Sequence, residues 1–138
     1  MTSNVRARSD VESEATVRVM IVDDQPSFRR AARAVIDATG GFVAVGDAAS
    51  GPEALQQAAQ EPPDLVLMDV HMPGMDGLEA TRRLTEAHPG CVVVLISLEN
   101  LDDAGAAVAS CGAVDFVRKR ELRPATVRGL WMAHGSRA

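Results

Sequence analysis

Short apolar runs alternate with amphipathic stretches along the chain from Val17 onward. Apolar residues recur at helical spacing between the runs, as in Phe28, Ala32 and Ile36. The runs predicted to be strands are 17–22, 42–48, 64–69, 91–97 and 113–119, the first of them buried. This alternation predicts an α/β fold: a doubly wound, five-stranded parallel sheet with right-handed crossovers and helices on both faces. The run 91–97 is the most hydrophobic, so we expect it at the centre of the sheet.

Turn and capping residues mark the helix boundaries. Pro26 and Pro124 suit first helical positions, and Ser50 with Glu53 forms a capping-box pattern. The stretch 101–110 is rich in small residues and contains Gly105. We therefore expect the fourth helix to be weak and mobile.

Length and composition indicate one folded domain. The chain has 138 residues, of which 46% are hydrophobic and 24% charged. We expect residues 1–16 to be a disordered N-terminal segment, 17–135 a single domain and 136–138 a short tail. The cysteines, Cys91 and Cys111, lack metal-binding spacing and are predicted to be reduced, buried thiols.

Charge and hydropathy exclude two classes of partner. A net charge of -5 argues against direct nucleic-acid binding, because the basic cluster Arg118, Lys119, Arg120 and Arg123 is short. No apolar run approaches the ~18 residues of a membrane span, and we find no signal peptide. The sequence predicts a cytoplasmic protein that does not bind membranes.

Polar side chains follow the strands at one edge of the predicted sheet. Asp23 and Asp24 follow the first strand, Asp69 ends the third, Ser97 the fourth and Lys119 the fifth. Active groups of open parallel sheets collect beyond the carboxyl ends of the strands. Oxygen ligands without cysteine or histidine favour Mg²⁺, and three carboxylates, one divalent cation and one ammonium sum to neutrality.

The run from Asp69 to Gly77 resembles the phosphorylation loop of response regulator receiver domains in two-component signalling. The acid pair, Ser97 and Lys119 occur in the order expected of that family. The resemblance covers residues 17 to about 134 and implies a flavodoxin-like strand order, 2-1-3-4-5. The sequence resembles the branch that often carries a C-terminal helix-turn-helix.

The resemblance also implies chemical roles. Asp69 would be the phospho-acceptor, with Asp24 and Asp69 contacting Mg²⁺ and Asp23 contacting it directly or through water. The backbone carbonyl of His71 would complete the protein ligands. Lys119 would pair with the phosphoryl oxygens.

A conformational switch is implied as well. Ser97 would donate its hydroxyl to a phosphoryl oxygen, and Phe116 would occupy the position of the switch aromatic. Phe116 lacks a tyrosine hydroxyl, so such a switch rests on packing; it is equally consistent with an ordinary core residue. The implied partners are a cognate histidine kinase and a second copy. The homodimer would form through the fourth helix, fifth strand and fifth helix, or through the first and fifth helices.

Other functions on the same fold stay open or are disfavoured. A receiver that acts only as a phosphorylation-independent docking module would keep the same residues. An aspartate-nucleophile phosphatase needs a second acid two residues after the first, where this chain has His71. Flavin or dinucleotide binding needs a phosphate loop that the sequence lacks. A stand-alone receiver and a chain cut before a DNA-binding domain both remain possible, with the missing linker favouring the first.

Overall fold

The computed structural model describes residues 16–135. The predicted disordered segment (apart from Thr16) and the tail 136–138 lie outside the described residues. The strands are β1 (Val17–Val22), β2 (Phe42–Ala48), β3 (Leu65–Asp69), β4 (Val92–Ser97) and β5 (Asp115–Arg118). The helices are α1 (Pro26–Asp37), α2 (Gly51–Gln60), α3 (Gly77–Ala87), α4 (Ala104–Cys111) and α5 (Pro124–His134), with a 3-10 turn at Lys119–Glu121.

The sheet confirms the predicted architecture. Its strands are all parallel and lie in the order β2-β1-β3-β4-β5. The expectation that 91–97 lies at the centre is wrong, because β3 is central and β4 lies between β3 and β5. Both strands are buried along their whole length. A strand is highly hydrophobic when helices cover both of its faces, and every interior strand of the sheet is covered in this way. Hydropathy therefore does not tell which interior strand is the central one.

Two apolar clusters cover the two faces of the sheet. Helices α1 and α5 contribute to one cluster, which we call the α1/α5 core, with Ala32, Ile36, Val127 and Leu130. Helices α2, α3 and α4 contribute to the other, the α2/α3 core, with Ala54, Ala58, Ala80, Leu84 and Cys111. Cys91 and Cys111 are both buried free thiols, as predicted. No helix within 16–135 combines the length and apolar character needed to cross a membrane.

Helix α4 is shorter and less anchored than the others. It begins at Ala104, and Cys111 is its single buried residue. Its N-cap, Asp103, has φ of 54° and accepts a hydrogen bond from the backbone N–H of Ala106 at 3.4 Å. A left-handed aspartate is uncommon. The weak sequence pattern at 101–110 therefore corresponds to a helix that few side chains hold in place.

Two threonines are almost completely buried but differ in hydrogen bonding. The Thr39 hydroxyl donates to the carbonyl of Val35 at 2.7 Å. The Thr81 hydroxyl, on α3, has no hydrogen-bond partner among the described residues. A buried hydroxyl without a partner has lost its hydration without compensation.

Replacing Thr81 by valine should stabilise the protein. Valine has the same shape and removes the uncompensated hydroxyl, so we expect the free energy of unfolding to rise by about 1 kcal/mol. Urea denaturation followed by circular dichroism measures this change.

Thr39→Val is the matched control. It removes a hydroxyl that has a partner, so it should lower the free energy of unfolding by about 1 kcal/mol. Equal effects of the two substitutions would show that the difference in hydrogen bonding is not what matters.

Candidate functional site

The end of β1 carries the first two acids of the site. Asp23 is fully buried and Asp24 half-buried. The backbone N–H of Gln25 donates to Asp23 Oδ1 at 2.8 Å, and the guanidinium of Arg29 donates to the Asp23 carbonyl at 2.6 Å. Pro26 then begins α1. These bonds fix the backbone at the point where the two carboxylates leave the sheet.

Asp69 ends the central strand and is only 4% exposed. It pairs in register with Ile96 of β4, and the next residue, Val70, donates its N–H to the Ile96 carbonyl at 3.0 Å. The backbone N–H of His71 donates to Asp69 Oδ1 at 3.4 Å. The strand therefore delivers this carboxylate beside Asp23, because β1 and β3 are neighbours.

Lys119 brings the positive charge. It lies in the 3-10 turn directly after β5, and its residue is 8% exposed. Its Nζ forms an ion pair with Asp23 Oδ2 and lies 3.6 Å from Asp69 Oδ1. The same Nζ lies 4.6 Å from the centroid of the Phe28 ring on α1. One cation therefore contacts both buried acids and an aromatic face.

The three carboxylates are close enough to share a metal ion. Ligand oxygens of Asp23, Asp24 and Asp69 all lie within 4.8 Å of one another. Carboxylate oxygens are hard ligands, which suit Mg²⁺ better than the softer metals. The donor set thus fits the predicted Mg²⁺. Coordination by the His71 carbonyl stays a prediction.

Burial of the Asp69 carboxyl and the charge of Asp23 raise its pKa from the ordinary 3.8 to about 6, with a smaller contribution from Asp24. Lys119 and the His71 backbone N–H oppose this rise in pKa. Burial is the largest cause of the raised pKa, because a low-dielectric environment disfavours the charged form of the carboxyl group. Asp69 is therefore ionised at neutral pH, but its buried surroundings and the neighbouring acids make the charged form less favourable than it is in water.

A cavity of about 400 Å³ opens above Asp69. The predicted residues Asp24, Asp69, Ser97 and Lys119 line it, together with His71. Ser97 is 1% exposed, and its hydroxyl accepts a hydrogen bond from the Glu99 backbone N–H at 3.3 Å. The remaining lining residues are Gln25, Leu98 and Glu99. Gln25 and Glu99 were not predicted to belong to the site; they lie one and two positions after the predicted residues Asp24 and Ser97, and that proximity in the sequence was the available clue.

Phe116 lies outside this cavity. It is half-buried on β5, pairs in register with Leu95 and packs against the α2/α3 core. Phe28, by contrast, contacts the site although the sequence analysis placed it only on the apolar face of the first helix. Its spacing indicates burial, and no sequence pattern reports its approach to Lys119.

The sequence of residues 19–127 matches the family described as the response regulator receiver domain. The chain belongs to this family. A solved two-component response regulator of the LuxR family from Aurantimonas sp. SI85-9A1 superposes with a TM-score of 0.77 at 30% identity, over 86% of this chain and 84% of that one. The response regulator domain of Thermotoga maritima CheB gives 0.74 at 28% identity, over 86% and 96%.

Curated relatives are longer proteins. A protein-glutamate methylesterase/protein-glutamine glutaminase from Hahella chejuensis is 44% identical over 103 residues, which are 73% of this chain and 29% of that protein. The response regulator GacA of Pseudomonas viridiflava is 39% identical over 75% of this chain and 48% of its own length. The chain thus spans less than half the length of either relative. What they share with it is the receiver domain.

Gly77, at the start of α3, lets the helix approach the end of β3. A Cβ atom there would overlap the carbonyl oxygen of Asp69 and lie 2.9 Å from the Val70 Cα. Gly77→Ala should therefore displace the backbone that carries Asp69. We expect a loss of about 1–3 kcal/mol in the free energy of unfolding, measured by urea denaturation.

Gly129→Ala provides the matched control for this substitution. Gly129 also lies in a helix, α5, but a Cβ atom there meets nothing within 4 Å. Alanine should stabilise that helix by about 0.5–1 kcal/mol. A neutral or stabilising Gly77→Ala would mean that α3 and β3 separate without cost.

The raised pKa of Asp69 predicts a stability that depends on pH. Folded protein binds the proton more tightly than the unfolded chain, so ionisation lowers the free energy of unfolding as pH rises from about 4 to 6. Without divalent cations, Asp69→Asn should stabilise the protein by about 1–2 kcal/mol at pH 7.5, discounted for solvent screening, and little at pH 4. Urea denaturation in EDTA at both pH values measures this. Exposed Asp37→Asn is the control, and the same gain at both pH values for Asp69→Asn would contradict the account.

Proposed function

We propose that the protein is a phospho-accepting receiver in which Asp69 accepts a phosphoryl group in a Mg²⁺-dependent reaction. The observation that carries the proposal is the convergence of three carboxylates and Lys119 beside one open cavity. The family supports a donor of the histidine kinase class as partner. The carboxylate of Asp69 faces the space where such a donor would place its phosphoryl group.

The transfer is a substitution at phosphorus. A carboxylate oxygen of Asp69 attacks the phosphorus atom, and the bond from phosphorus to the donor's leaving atom breaks. Asp69 must react ionised, so a pKa of about 6 leaves it reactive at neutral pH. Lys119, 3.6 Å from the attacking carboxylate, is placed to pair with a phosphoryl oxygen as charge shifts.

Mg²⁺, when bound, would neutralise the carboxylates and the phosphoryl oxygens and help orient the donor. The residues proposed to hold it are Asp23, Asp24, Asp69 and the His71 carbonyl. Asp23 already shares one oxygen with Lys119 and receives the Gln25 N–H on the other. A contact from Asp23 through water is therefore compatible with its present bonds.

Phosphorylation would act as a switch through Ser97 and Phe116. A phosphoryl group on Asp69 would attract the Ser97 hydroxyl, which now accepts a bond from the Glu99 N–H. That movement would open space for Phe116, which packs against the α2/α3 core. The surface formed by α4, β5 and α5 would change with it. Helix α4 has only one buried residue, fewer than any other α-helix, so it is the helix that would move at the smallest cost in packing.

Several broader expectations stay predictions. Homodimers would form through α4, β5 and α5 or through α1 and α5, and a cytoplasmic location follows from the sequence alone. The protein would not be an enzyme beyond its own phosphoryl transfer and slow dephosphorylation. The match to the methylesterase covers 29% of that protein, so it offers no support for esterase activity in this chain.

A phosphorylation-independent docking module is the second candidate. It would keep the fold and the family surfaces without using the acids. The buried Lys119–Asp23 pair favours the first candidate, because burying charges costs energy that a docking surface does not require.

Incubation with acetyl phosphate tests the proposal directly. Intact-mass spectrometry should detect one added phosphoryl group in the presence of Mg²⁺ and none in EDTA. Asp69→Ala should abolish the adduct, whereas exposed Asp37→Ala should leave it unchanged. An adduct that survives Asp69→Ala would assign the acceptor to another residue. No adduct on folded wild-type protein would favour the docking module.

A further inference from the structure

The aromatic contact to Lys119 comes from the first turn of α1. Phe28 is half-buried, packs against the α1/α5 core and places its ring centroid 4.6 Å from Lys119 Nζ. A cation within ~6 Å of an aromatic centroid is attracted by the negative face of the ring. The connection from β1 to α1 therefore supplies Asp23 and Asp24, and the first turn of α1 supplies this ring.

Lys119 has three neighbours of two kinds, two carboxylates and one aromatic ring, and the two kinds restrain it differently. Asp23 and Asp69 attract the ammonium by charge, at different distances. The ring of Phe28 stabilises the cation without adding negative charge, and it occupies space that water would otherwise fill. Excluding water from a site strengthens the electrostatic interactions within it. An aliphatic side chain would fill the same core position but would not form a cation–π interaction with the ammonium.

We propose that Phe28 is a positioning residue that holds the Lys119 ammonium beside Asp69 for phosphoryl transfer. The inference rests on the proposed function and adds to it a residue outside the acidic cluster. Phe28 would act through Lys119, without contacting the carboxylate oxygens proposed to bind the metal or the phosphoryl group. Its contribution should depend on the electron density of the ring and not only on its volume.

Substitutions at position 28 separate electron density from volume. Phe28→Leu should lower the rate of phosphorylation by acetyl phosphate roughly three- to tenfold, because the ring is lost while the core stays filled. Phe28→Tyr keeps the aromatic face and should stay within about twofold of wild type. Site-specific incorporation of mono-, di- and trifluorophenylalanine should lower the rate stepwise, because fluorine withdraws density from the ring face.

Phe42→Leu is the matched control. Phe42 also packs against the α1/α5 core, but it begins β2, which lies at the edge of the sheet opposite to β5 and Lys119. Its replacement should cost stability, measured by urea denaturation, without slowing phosphorylation. If Phe42→Leu slows phosphorylation as much as Phe28→Leu, or if fluorination has no effect, the positioning role is overturned.

Lys119 is the only lysine of the chain, which allows a measurement that needs no phosphorylation. Selective ¹³C-lysine labelling gives one side-chain spin system, and its ε protons should be shifted upfield by the ring current of Phe28. The shift should disappear in Phe28→Leu and persist in Phe42→Leu. An unshifted wild-type signal would overturn the contact itself. A wild-type protein that shows the shift but takes no phosphoryl group would overturn the proposed function and leave only the contact.

Discussion

The ion pair between Lys119 and Asp23 is the interaction on which the site depends. Asp23 and Asp69 are almost wholly removed from solvent, and Asp24 completes a cluster whose oxygens lie within 4.8 Å. Acids held this close raise one another's pKa, and a cation among them opposes that rise. A buried pair rarely adds net stability, because desolvation costs as much as the attraction returns. The Lys119–Asp23 pair is therefore better explained by the chemistry it would permit at the site than by a contribution to stability.

The sheet topology is what brings this cation to these acids. Asp23 and Asp24 directly follow β1, Asp69 ends the adjacent strand β3, and β5 lies two strands away from β3. The side chain of Lys119 spans that distance from a 3-10 turn that follows β5 at once. Gly77 lets α3 start against the Asp69 carbonyl, where any side chain would collide. The charge cluster thus depends on backbone positions that carry no charge.

The sequence predicted the strands and the edge where the acids meet, because burial on both faces leaves a continuous apolar run that an acid interrupts. Asp23, Asp24, Asp69, Ser97 and Lys119 were assigned to that edge because each ends or follows a predicted strand, and their roles were taken from the resemblance to receiver domains. Contacts that arise from packing between elements far apart in the sequence could not be predicted from the sequence. Phe28 has the spacing of a core residue, and its contact with Lys119 joins two elements that are far apart in the sequence. Helix α4 begins later than predicted, with Asp103 in a left-handed conformation that composition does not reveal.

The choice of lysine at this position follows from the same geometry. The chain contains thirteen arginines and a single lysine, and the lysine is the cation placed in the site. An arginine presents a wide, planar fork that binds a carboxylate through two parallel bonds. Such a group would hold Asp23 firmly and crowd the 8% exposed position that Lys119 occupies. The compact ammonium can instead pair with Asp23 while remaining within reach of Asp69. In the proposed phosphoryl transfer Lys119 would exchange one oxygen partner for another, and a compact ammonium on a flexible side chain, beside the uncharged ring of Phe28, suits that exchange.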